Sequence, residues 1–379
     1  MSELRFALVG CGRIAKRHSE LLGYGEIGGA RLVAVCDRVA VRAERIAERF
    51  QIPWYVDMHE MCREQAIDVV VVLSESGLHA EHVIALAAHG KHIVVEKPMA
   101  LRLQDADAMI GACRAHGVQL FVVKQNRFNV PVVKLREALE QGRFGRLVLG
   151  TIRVRWCRTQ DYYNQDPWRG LWSMDGGVLS NQASHHVDLL NWMMGDVESV
   201  FAKSTTVLAD IEAEDTAVVL LKFKSGALGV IEATTATRPR DLEGSISLLG
   251  EHGTVEIGGF AVNEMRTWDI RPAVPEDEGI LKNFSVNPPN VYGFGHQAYY
   301  EHVVASLTEG APVMVDGEEG RKSLRLISAI YESIETGREV FLEHMQGSAR
   351  LGVGRIASAS GPENDGAAGT VVAAIGSRG

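Results

Sequence analysis

The chain has 379 residues, of which 46% are apolar and 23% charged, a composition typical of a globular protein with room for two domains, which excludes a disordered chain. Its 39 lysines and arginines against 48 acidic residues give a net charge of −9, so we expect no broad positive surface for a nucleic-acid partner. The opening "MSELRFALVG" lacks signal-peptide character, no apolar run reaches membrane-spanning length, and the five scattered cysteines form no C-x-x-C pair, so we expect a cytoplasmic protein without a membrane partner.

The first third of the chain alternates short apolar runs with amphipathic segments. The runs predict strands and are "RFALVG", "RLVAVCD", "DVVVVLS", "KHIVVEK" and "VQLFVVK". Segments such as "AVRAERIAERF" between them carry apolar residues at helical spacing. Continuous apolar runs indicate strands that are covered on both faces, as in a parallel sheet. We therefore predict an α/β domain over residues 1–124, a Rossmann-type doubly wound parallel sheet.

A glycine motif follows the first predicted strand and opens the first helix. In "ALVGCGRIAKRH", Gly10 permits a tight turn, Gly12 leaves room for a pyrophosphate, and Ala15 allows close helix packing. The helix amino terminus then offers unpaired N–H groups to phosphates. Such turns also occur for steric reasons alone, so the motif needs a second signal.

Asp37, at the end of the second predicted strand, supplies that second signal. A carboxylate there accepts hydrogen bonds from the ribose hydroxyls and repels a 2′-phosphate, which favours NAD over NADP. The neighbouring Arg38 argues the other way, because an arginine there could accommodate that phosphate. The predicted NAD contacts are Gly10, Gly12, Arg13, Ile14, Asp37, Arg38, Ser74, His79, Glu96 and Lys97.

The segment "VVEKPMA" places Glu96 and Lys97 at the carboxyl end of the fourth predicted strand. Ligands of open parallel sheets bind beyond these ends, so Lys97 is expected near the reactive end of a dinucleotide. The alternative is a solvated ion pair at a strand terminus. In "KQNRF", Asn126 and Arg127 occupy the same edge after the fifth predicted strand and are candidate substrate contacts.

After residue 125 the predicted strands become longer and alternate between apolar and polar residues. We predict an α+β domain over residues 125–343, built on a largely antiparallel open sheet with two helices, one of them at 177–194. An uncovered sheet face predicts a homodimer or a homotetramer. Residues 344–379, rich in glycine, alanine and serine, are predicted to form a poorly ordered tail.

The stretch "RVRWCRTQDYYNQDPWRGLWSMDGG" is dense in arginine and aromatic residues. Guanidinium groups bind carboxylates and phosphates, and aromatic rings stack on sugars and bases, so Arg158, Tyr163 and Arg169 are candidate substrate contacts. The alternative is that the arginines of "RVRWCR" line the solvated face of a strand.

The predicted helix at 177–194 carries a polar stripe that includes Asn181, Ser184, His185 and Asp188. Helical spacing would place Asn181 and His185 one turn apart on a face toward water or a cleft. His186 is expected to pack on the apolar side. Adjacent histidines on a helix point about 100° apart and do not converge on one ion, so no metal is predicted.

Four motifs occur together in order: "ALVGCGRIAKRH", "EKP", "KQNRF" and "GGVLSNQASHHVDLLNWMMG". In these motifs, and over nearly the whole chain to about residue 343, the sequence resembles the Gfo/Idh/MocA family of oxidoreductases. The resemblance implies NAD(P)-dependent oxidation or reduction of a sugar or polyol, with Lys97 and His185 as catalytic residues. Either could be the base. Asn181 stands where the family often has an aspartate.

Within that family, "YYNQDPWRGLWSMDGGVLSNQASHHVDLLNWMMG" is similar to the branch that oxidises C3 of UDP-N-acetylglucosaminuronate for bacterial O-antigen sugars. This resemblance implies a UDP-sugar acid as substrate, and leaves open whether NADH is released or is reoxidised in place by 2-oxoglutarate. Two alternatives are an inositol or simple aldose dehydrogenase and a redox-inert NAD-binding sensor. The expected substrate contacts are Asn126, Arg127, Arg158, Tyr163, Arg169, Asn181 and His185.

Overall fold

A computed structural model describes residues 3–285 and 294–354. Within these ranges, the amino-terminal part contains a fully parallel sheet of six strands in the order β3-β2-β1-β4-β5-β6. The strands are β1 (Leu4–Val9), β2 (Ala30–Cys36), β3 (Trp54–Tyr55), β4 (Val69–Val72), β5 (His92–Val95) and β6 (Leu120–Val122). The helices are α1 (Ala15–Gly23), α2 (Ala40–Phe50), α3 (Met58–Glu64), α4 (His79–Ala87) and α5 (Leu103–Ala115).

Helices cover both faces of this sheet, which explains the unbroken apolar runs. All four valines of β4 are buried, for example, because one face packs against α3–α5 and the other against α1 and α2. The predicted parallel, doubly wound domain is confirmed. Strand β3 escaped prediction because it has two residues and forms no apolar run.

The second sheet has eight strands in the described residues, in the order β13-β12-β11-β7-β10-β9-β8-β14. All neighbours are antiparallel except β7 and β10, so the predicted largely antiparallel sheet is confirmed. Its strands are β7 (Leu147–Arg155), β8 (Val197–Thr205), β9 (Thr216–Phe223), β10 (Leu228–Thr234), β11 (Glu243–Gly250), β12 (Gly253–Gly258), β13 (Glu264–Ile270) and β14 (Val340–Phe341). The helices of this part are α6 (Val130–Glu140), α7 (Gln160–Asn164), α8 (Ser184–Met194), α9 (Ile280–Asn283), α10 (Gly295–Thr308) and α11 (Gly317–Thr336).

The two faces of the second sheet differ. Helices α8 and α11 pack on one face and enclose the main apolar core. The opposite face exposes apolar side chains in the middle of the sheet, including Val218 (49% exposed) and Leu220 (54% exposed) on β9. This alternation along β9 is the period-two pattern that the sequence displays.

Two segments pack in places that the predicted domain division does not describe. Helix α10 follows residue 125 in sequence, but Tyr299, Tyr300 and Val303 pack into the core on one face of the first sheet. The predicted tail begins too early, because residues 344–354 pack on the second domain. The backbone N–H of Gln346 donates to Glu332, and Leu351 is buried. Residues 355–379 lie outside the described residues.

The helix predicted at 177–194 begins instead at Ser184. Gly176 has a φ of 78°, and a Cβ on Gly177 would lie 2.3 Å from the Glu214 carboxyl carbon, so this glycine pair forms a tight turn against Glu214. Asn181 therefore lies in the turn before α8 and not on a helical face with His185. Helix α8 is buried along most of its length.

No helix within residues 3–285 and 294–354 has the length and apolar character needed to span a bilayer.

Candidate active site

A cavity of about 820 Å³ lies at the carboxyl ends of the first sheet and is closed on its far side by residues of the second domain. Residues that follow four of the six strands line it: Gly10 after β1, Asp37 after β2, Ser74 after β4 and Lys97 after β5. All ten residues predicted to contact NAD line this cavity. The arrangement is that of a ligand site at the edge of an open α/β sheet.

The glycine turn leaves space where a pyrophosphate would lie. Gly10 has a φ of 98°, and a Cβ there would lie 2.6 Å from the backbone of Leu73, so another residue would disrupt the turn. A Cβ on Gly12 would meet no atom within 4 Å. That open approach beside the start of α1 fits the phosphates of a dinucleotide.

The Asp37 carboxylate is buried and fixed at the wall of the cavity. Its Oδ2 accepts from the backbone N–H of Cys11 at 2.7 Å and its Oδ1 accepts from that of Val39 at 2.8 Å. Each carboxylate oxygen keeps acceptor capacity for a ribose hydroxyl. Arg38, with its side chain 72% exposed, is paired with Glu75 at 2.8 Å at the rim. This arrangement fits NAD.

Glu96 lines the cavity, but its carboxylate is held by neighbouring protein groups. It accepts from the Lys97 backbone N–H at 2.9 Å and lies 3.1 Å from His18 Nε2. Burial opposes ionisation, yet hydrogen bonds from His18 and His296 outweigh it and hold the pKa of Glu96 well below its usual range. The role of Glu96 is therefore to anchor the backbone of Lys97 rather than to offer a free carboxylate.

The His18, Glu96 and His296 side chains are also grouped closely enough to hold one metal ion, since their ligand atoms lie within 4.8 Å of one another. His18 is already engaged, with Nδ1 2.6 Å from the Tyr300 hydroxyl and Nε2 bonded to Glu96. This cluster is a hydrogen-bonded support beneath Lys97. The absence of a metal stays a prediction.

Lys97 reaches across from the first domain to the turn before α8. Its Nζ donates to the Asn181 carbonyl oxygen at 3.0 Å and to Asn181 Oδ1 at 3.3 Å. Burial lowers the pKa of Lys97, and the carboxylates of Glu96 and Asp175 partly oppose that effect. Lys97 is thus a buried amine whose proton is easier to remove than that of a surface lysine.

His185, in the first turn of α8, lines the same cavity. The Gln125 side-chain amide donates to its Nε2 at 3.1 Å, so in the neutral ring Nδ1 carries the proton. That Nδ1 is buried and has no hydrogen-bond partner among the described residues. Burial, together with the positive charges of Lys97 and Lys124, lowers the pKa of His185 well below its usual range. His185 is therefore neutral at neutral pH.

Gln125 and Asp175 are among the site residues that were missed from the sequence. Gln125, next to the predicted Asn126, lines the cavity and holds His185. Asp175 lies behind Asn181 and accepts from its Nδ2 at 2.6 Å. The sequence signal for Asp175 was its position immediately before the paired glycines of "MDGG".

Arginine and aromatic side chains form one wall of the cavity. Arg169 donates to Asp166 at 2.9 Å and to the Tyr162 hydroxyl at 2.7 Å, and Arg158 pairs with Asp241 at 2.9 Å. Arg13 of the glycine turn donates to Gln165. The residues of this wall are Arg13, Arg158, Tyr162, Trp168 and Arg169.

Three predicted substrate contacts lie elsewhere. Arg127 is buried and bonded in bidentate fashion to Asp188 at 2.7 and 2.9 Å, so its charge is used within the fold. Asn126 is buried in the same turn (Gln125–Phe128) and does not line the cavity. Tyr163 points inward and bonds to Thr235, so its neighbour Tyr162 lines the cavity instead.

The geometry agrees with comparisons to known proteins. The model of the oxidoreductase family's NAD-binding Rossmann fold (GFO_IDH_MocA) matches residues 4–124, and that of the family's C-terminal alpha/beta domain (GFO_IDH_MocA_C) matches residues 136–342. Myo-inositol 2-dehydrogenase of Thermotoga maritima is 32% identical, over 91% of this chain and 100% of the relative.

Two solved structures of WlbA dehydrogenases, both in complex with NADH and UDP-GlcNAcA, are each 41% identical to the chain. The Bordetella pertussis enzyme aligns with a TM-score of 0.82 over 89% of this chain and 98% of its own. The Chromobacterium violaceum enzyme aligns with a TM-score of 0.84 over 90% of this chain and 96% of its own.

Proposed function

Because the chain belongs to the Gfo/Idh/MocA family of NAD-dependent oxidoreductases, we propose that it oxidises the C3 hydroxyl of a UDP-sugar acid, UDP-N-acetylglucosaminuronate, to the 3-keto sugar. The observation that carries this proposal is the wall of three arginines and two aromatic rings in the cavity that also contains Lys97 and His185. The sugar would enter bacterial O-antigen biosynthesis, as the resemblance to that branch implies.

Lys97 is the base in this proposal. A neutral lysine amine has two N–H bonds and one lone pair, and Asn181 accepts both N–H bonds through its carbonyl oxygen and Oδ1. The lone pair is then left to take the proton of a substrate hydroxyl. The lowered pKa of Lys97, caused mainly by burial, makes the neutral amine easier to form than that of an exposed lysine.

His185 holds the reacting hydroxyl. Its Nε2 is occupied by Gln125, which leaves Nδ1–H as a buried donor with no hydrogen-bond partner among the residues that the structure describes. The His185 ring lines the cavity, so a bound substrate hydroxyl can supply the missing partner. NAD, when bound, supplies the acceptor for the hydride that leaves the carbon bearing this hydroxyl. Deprotonation at Lys97 and orientation by His185 are thus the contributions of the two domains.

The arginine wall favours an anionic substrate. A UDP-sugar acid carries a diphosphate and a carboxylate, and guanidinium groups bind both with charge-assisted hydrogen bonds. Arg158 and Arg169 are each paired with an acid of the protein, which holds the guanidinium in place for a ligand. The two WlbA structures that carry UDP-GlcNAcA support this substrate class.

A second candidate is the oxidation of an inositol or a simple aldose. It is favoured by the similarity to the myo-inositol 2-dehydrogenase of T. maritima. A neutral polyol would offer no anionic group to Arg13, Arg158 and Arg169 at the cavity wall. A redox-inert sensor is disfavoured because it would have no use for the buried amine of Lys97.

Absorbance at 340 nm tests these alternatives. The protein and NAD are mixed with one substrate at a time: UDP-N-acetylglucosaminuronate, UDP-N-acetylglucosamine, whose sugar is uncharged, or myo-inositol. We expect NADH from the first alone, and a loss of roughly a thousandfold in kcat for Lys97→Met. NADH from inositol but not from the sugar nucleotide would favour the second candidate. Adding 2-oxoglutarate shows whether bound NADH is reoxidised in place.

The proposal extends to a homodimer joined through the open face of the second sheet. That face exposes Val148, Phe201, Val218, Leu220 and Leu228. Apolar groups clustered on an uncovered sheet indicate a protein partner, and a second copy of the chain would bury them symmetrically. A tetramer would require a further surface. A cytoplasmic location stays a proposal, to which five free cysteines are suited.

A further inference from the structure

The Asp175 carboxylate lies directly behind the amide that holds Lys97. The residue is 1% exposed, and its carboxylate Oδ1 accepts from Asn181 Nδ2 at 2.6 Å. Its Oδ2 accepts from the backbone N–H of Gly170 at 3.0 Å. A buried hydrogen-bonded chain therefore runs from the arginine-bearing loop through Asp175 and Asn181 to Lys97.

This series of hydrogen bonds fixes which end of the Asn181 amide faces Lys97. An ionised carboxylate only accepts hydrogen bonds, so Asp175 takes the NH2 group and leaves Oδ1 for Lys97 Nζ. If Asp175 were replaced by an amide, the NH2 group of that amide could face Asn181. The Asn181 side chain would then rotate so that its Oδ1 accepts a hydrogen bond from this NH2 group. Lys97 would then face an NH2 group, which cannot accept its N–H bond.

The charge of the Asp175 carboxylate also affects Lys97. Burial raises the pKa of Asp175 to about 6, so the carboxylate is mostly ionised at neutral pH. Its negative charge raises the pKa of Lys97 and so opposes the effect of burial. The other charged or titratable groups that interact with Lys97 or Asp175 are Glu96, Lys124, Tyr163, Arg169, His185 and Glu214.

We propose that Asp175 is a positioning residue, which orients the Lys97 amine toward the substrate through the Asn181 amide; this role rests on the proposed function of Lys97 as the base. Asp175 touches neither substrate nor cofactor in this account. It acts by keeping two acceptors, the Asn181 carbonyl oxygen and Oδ1, aimed at Nζ.

The first test is Asp175→Asn, which keeps the size of the side chain and removes its charge. We expect kcat for UDP-N-acetylglucosaminuronate to fall roughly 10- to 100-fold with KM within about threefold, because the base is misoriented after the substrate has bound. The rate at which acetic anhydride acylates Lys97 is measured by mass spectrometry as a function of pH. It should rise roughly tenfold at pH 7, because the negative charge of Asp175 no longer stabilises the protonated ammonium form of Lys97.

A compensating variant separates positioning from structural support. In Asp175→Asn combined with Asn181→Asp, the new amide can donate to the new carboxylate, which still offers an oxygen to Lys97. We expect kcat to recover at least about tenfold over the single variant, and Lys97 acylation to slow again. Asp161→Asn, an exposed carboxylate outside the cavity, is the control and should change neither measurement.

The outcomes are distinguishable. A lower melting temperature for Asp175→Asn with an unchanged acylation profile would mean that Asp175 only supports the loop, and the inference would be wrong. A folded double variant without recovery would overturn it too. If the wild-type protein oxidises no sugar nucleotide while acylation still responds as expected, the proposed function fails and the positioning of Lys97 by Asp175 stands.

Discussion

Replacing Arg127 tests whether this buried arginine stabilises the fold, in contrast to the cavity arginines, which we expect to bind the substrate. Arg127→Met removes both hydrogen bonds to Asp188, whose side chain is 2% exposed, and the bond to Glu319. Breaking a buried ion pair from one side costs about 3–5 kcal/mol. Lys124 lies 3.7 Å from Asp188 and partly compensates, so we expect about 3 kcal/mol. For a chain of this size that is a fall in melting temperature of roughly 4 °C.

The pH dependence gives the same prediction a second check. Burial would raise the pKa of Asp188, but Arg127 and Lys124 outweigh burial and hold it below its usual value. A depressed carboxyl pKa stabilises the fold above the unfolded pKa of about 4 and loses that contribution as the pH falls further. The gap in melting temperature between wild type and Arg127→Met should therefore be widest at neutral pH and narrow below about pH 4.

Arg158→Met is the matched comparison, since Arg158 lines the cavity and pairs with Asp241 at its edge. The substitution should raise KM for the sugar nucleotide about 10- to 100-fold, because one charge-assisted hydrogen bond to the substrate is lost. Its effect on the melting temperature should be smaller than that of Arg127→Met. Differential scanning calorimetry and initial rates at 340 nm measure both quantities. An Arg127→Met protein with wild-type stability and a raised KM would refute the structural role of Arg127.

Three further changes are expected to have separable effects. Asp37→Ser should raise KM for NAD at least about tenfold and leave KM for the sugar nucleotide nearly unchanged, as initial rates at varied NAD will show. Leu351→Ala should cost about 2–4 kcal/mol of unfolding free energy because Leu351 is buried, whereas Val353→Ala, at a half-exposed position, should cost less than about 1 kcal/mol; chemical denaturation compares them. Leu220→Glu should shift the mass measured by light scattering from dimer to monomer, and an unchanged mass would exclude the open sheet face as the interface.

The cofactor half of the site could be predicted from the sequence because local rules determine it. A glycine turn after a strand, an acid after the next strand and a lysine after β5 all fall at the carboxyl edge of a parallel sheet, whatever the rest of the chain does. The ten predicted residues accordingly line the cavity. What the sequence could not reveal was that the Glu96 carboxylate is already bonded to His18, a residue 78 positions away.

The substrate half depends on tertiary contacts that no local pattern records. Arg127 and Arg158 look alike in sequence, and only the position of Asp188 on buried α8 makes the first a structural residue. Tyr162 and Tyr163 are adjacent, and the inward bond to Thr235 decides which of them lines the cavity. Asp175 was overlooked because its link to Lys97 passes through a third residue.

The transfer of the C3 hydrogen is the central claim, and UDP-N-acetylglucosaminuronate deuterated at C3 tests it most directly. Mixed with the protein and NAD, it should yield reduced cofactor that is one mass unit heavier than NADH, with a slower single-turnover rate than that of the unlabelled sugar when hydride transfer limits the turnover. Reduced cofactor without deuterium, or no reduced cofactor at all, would contradict the account.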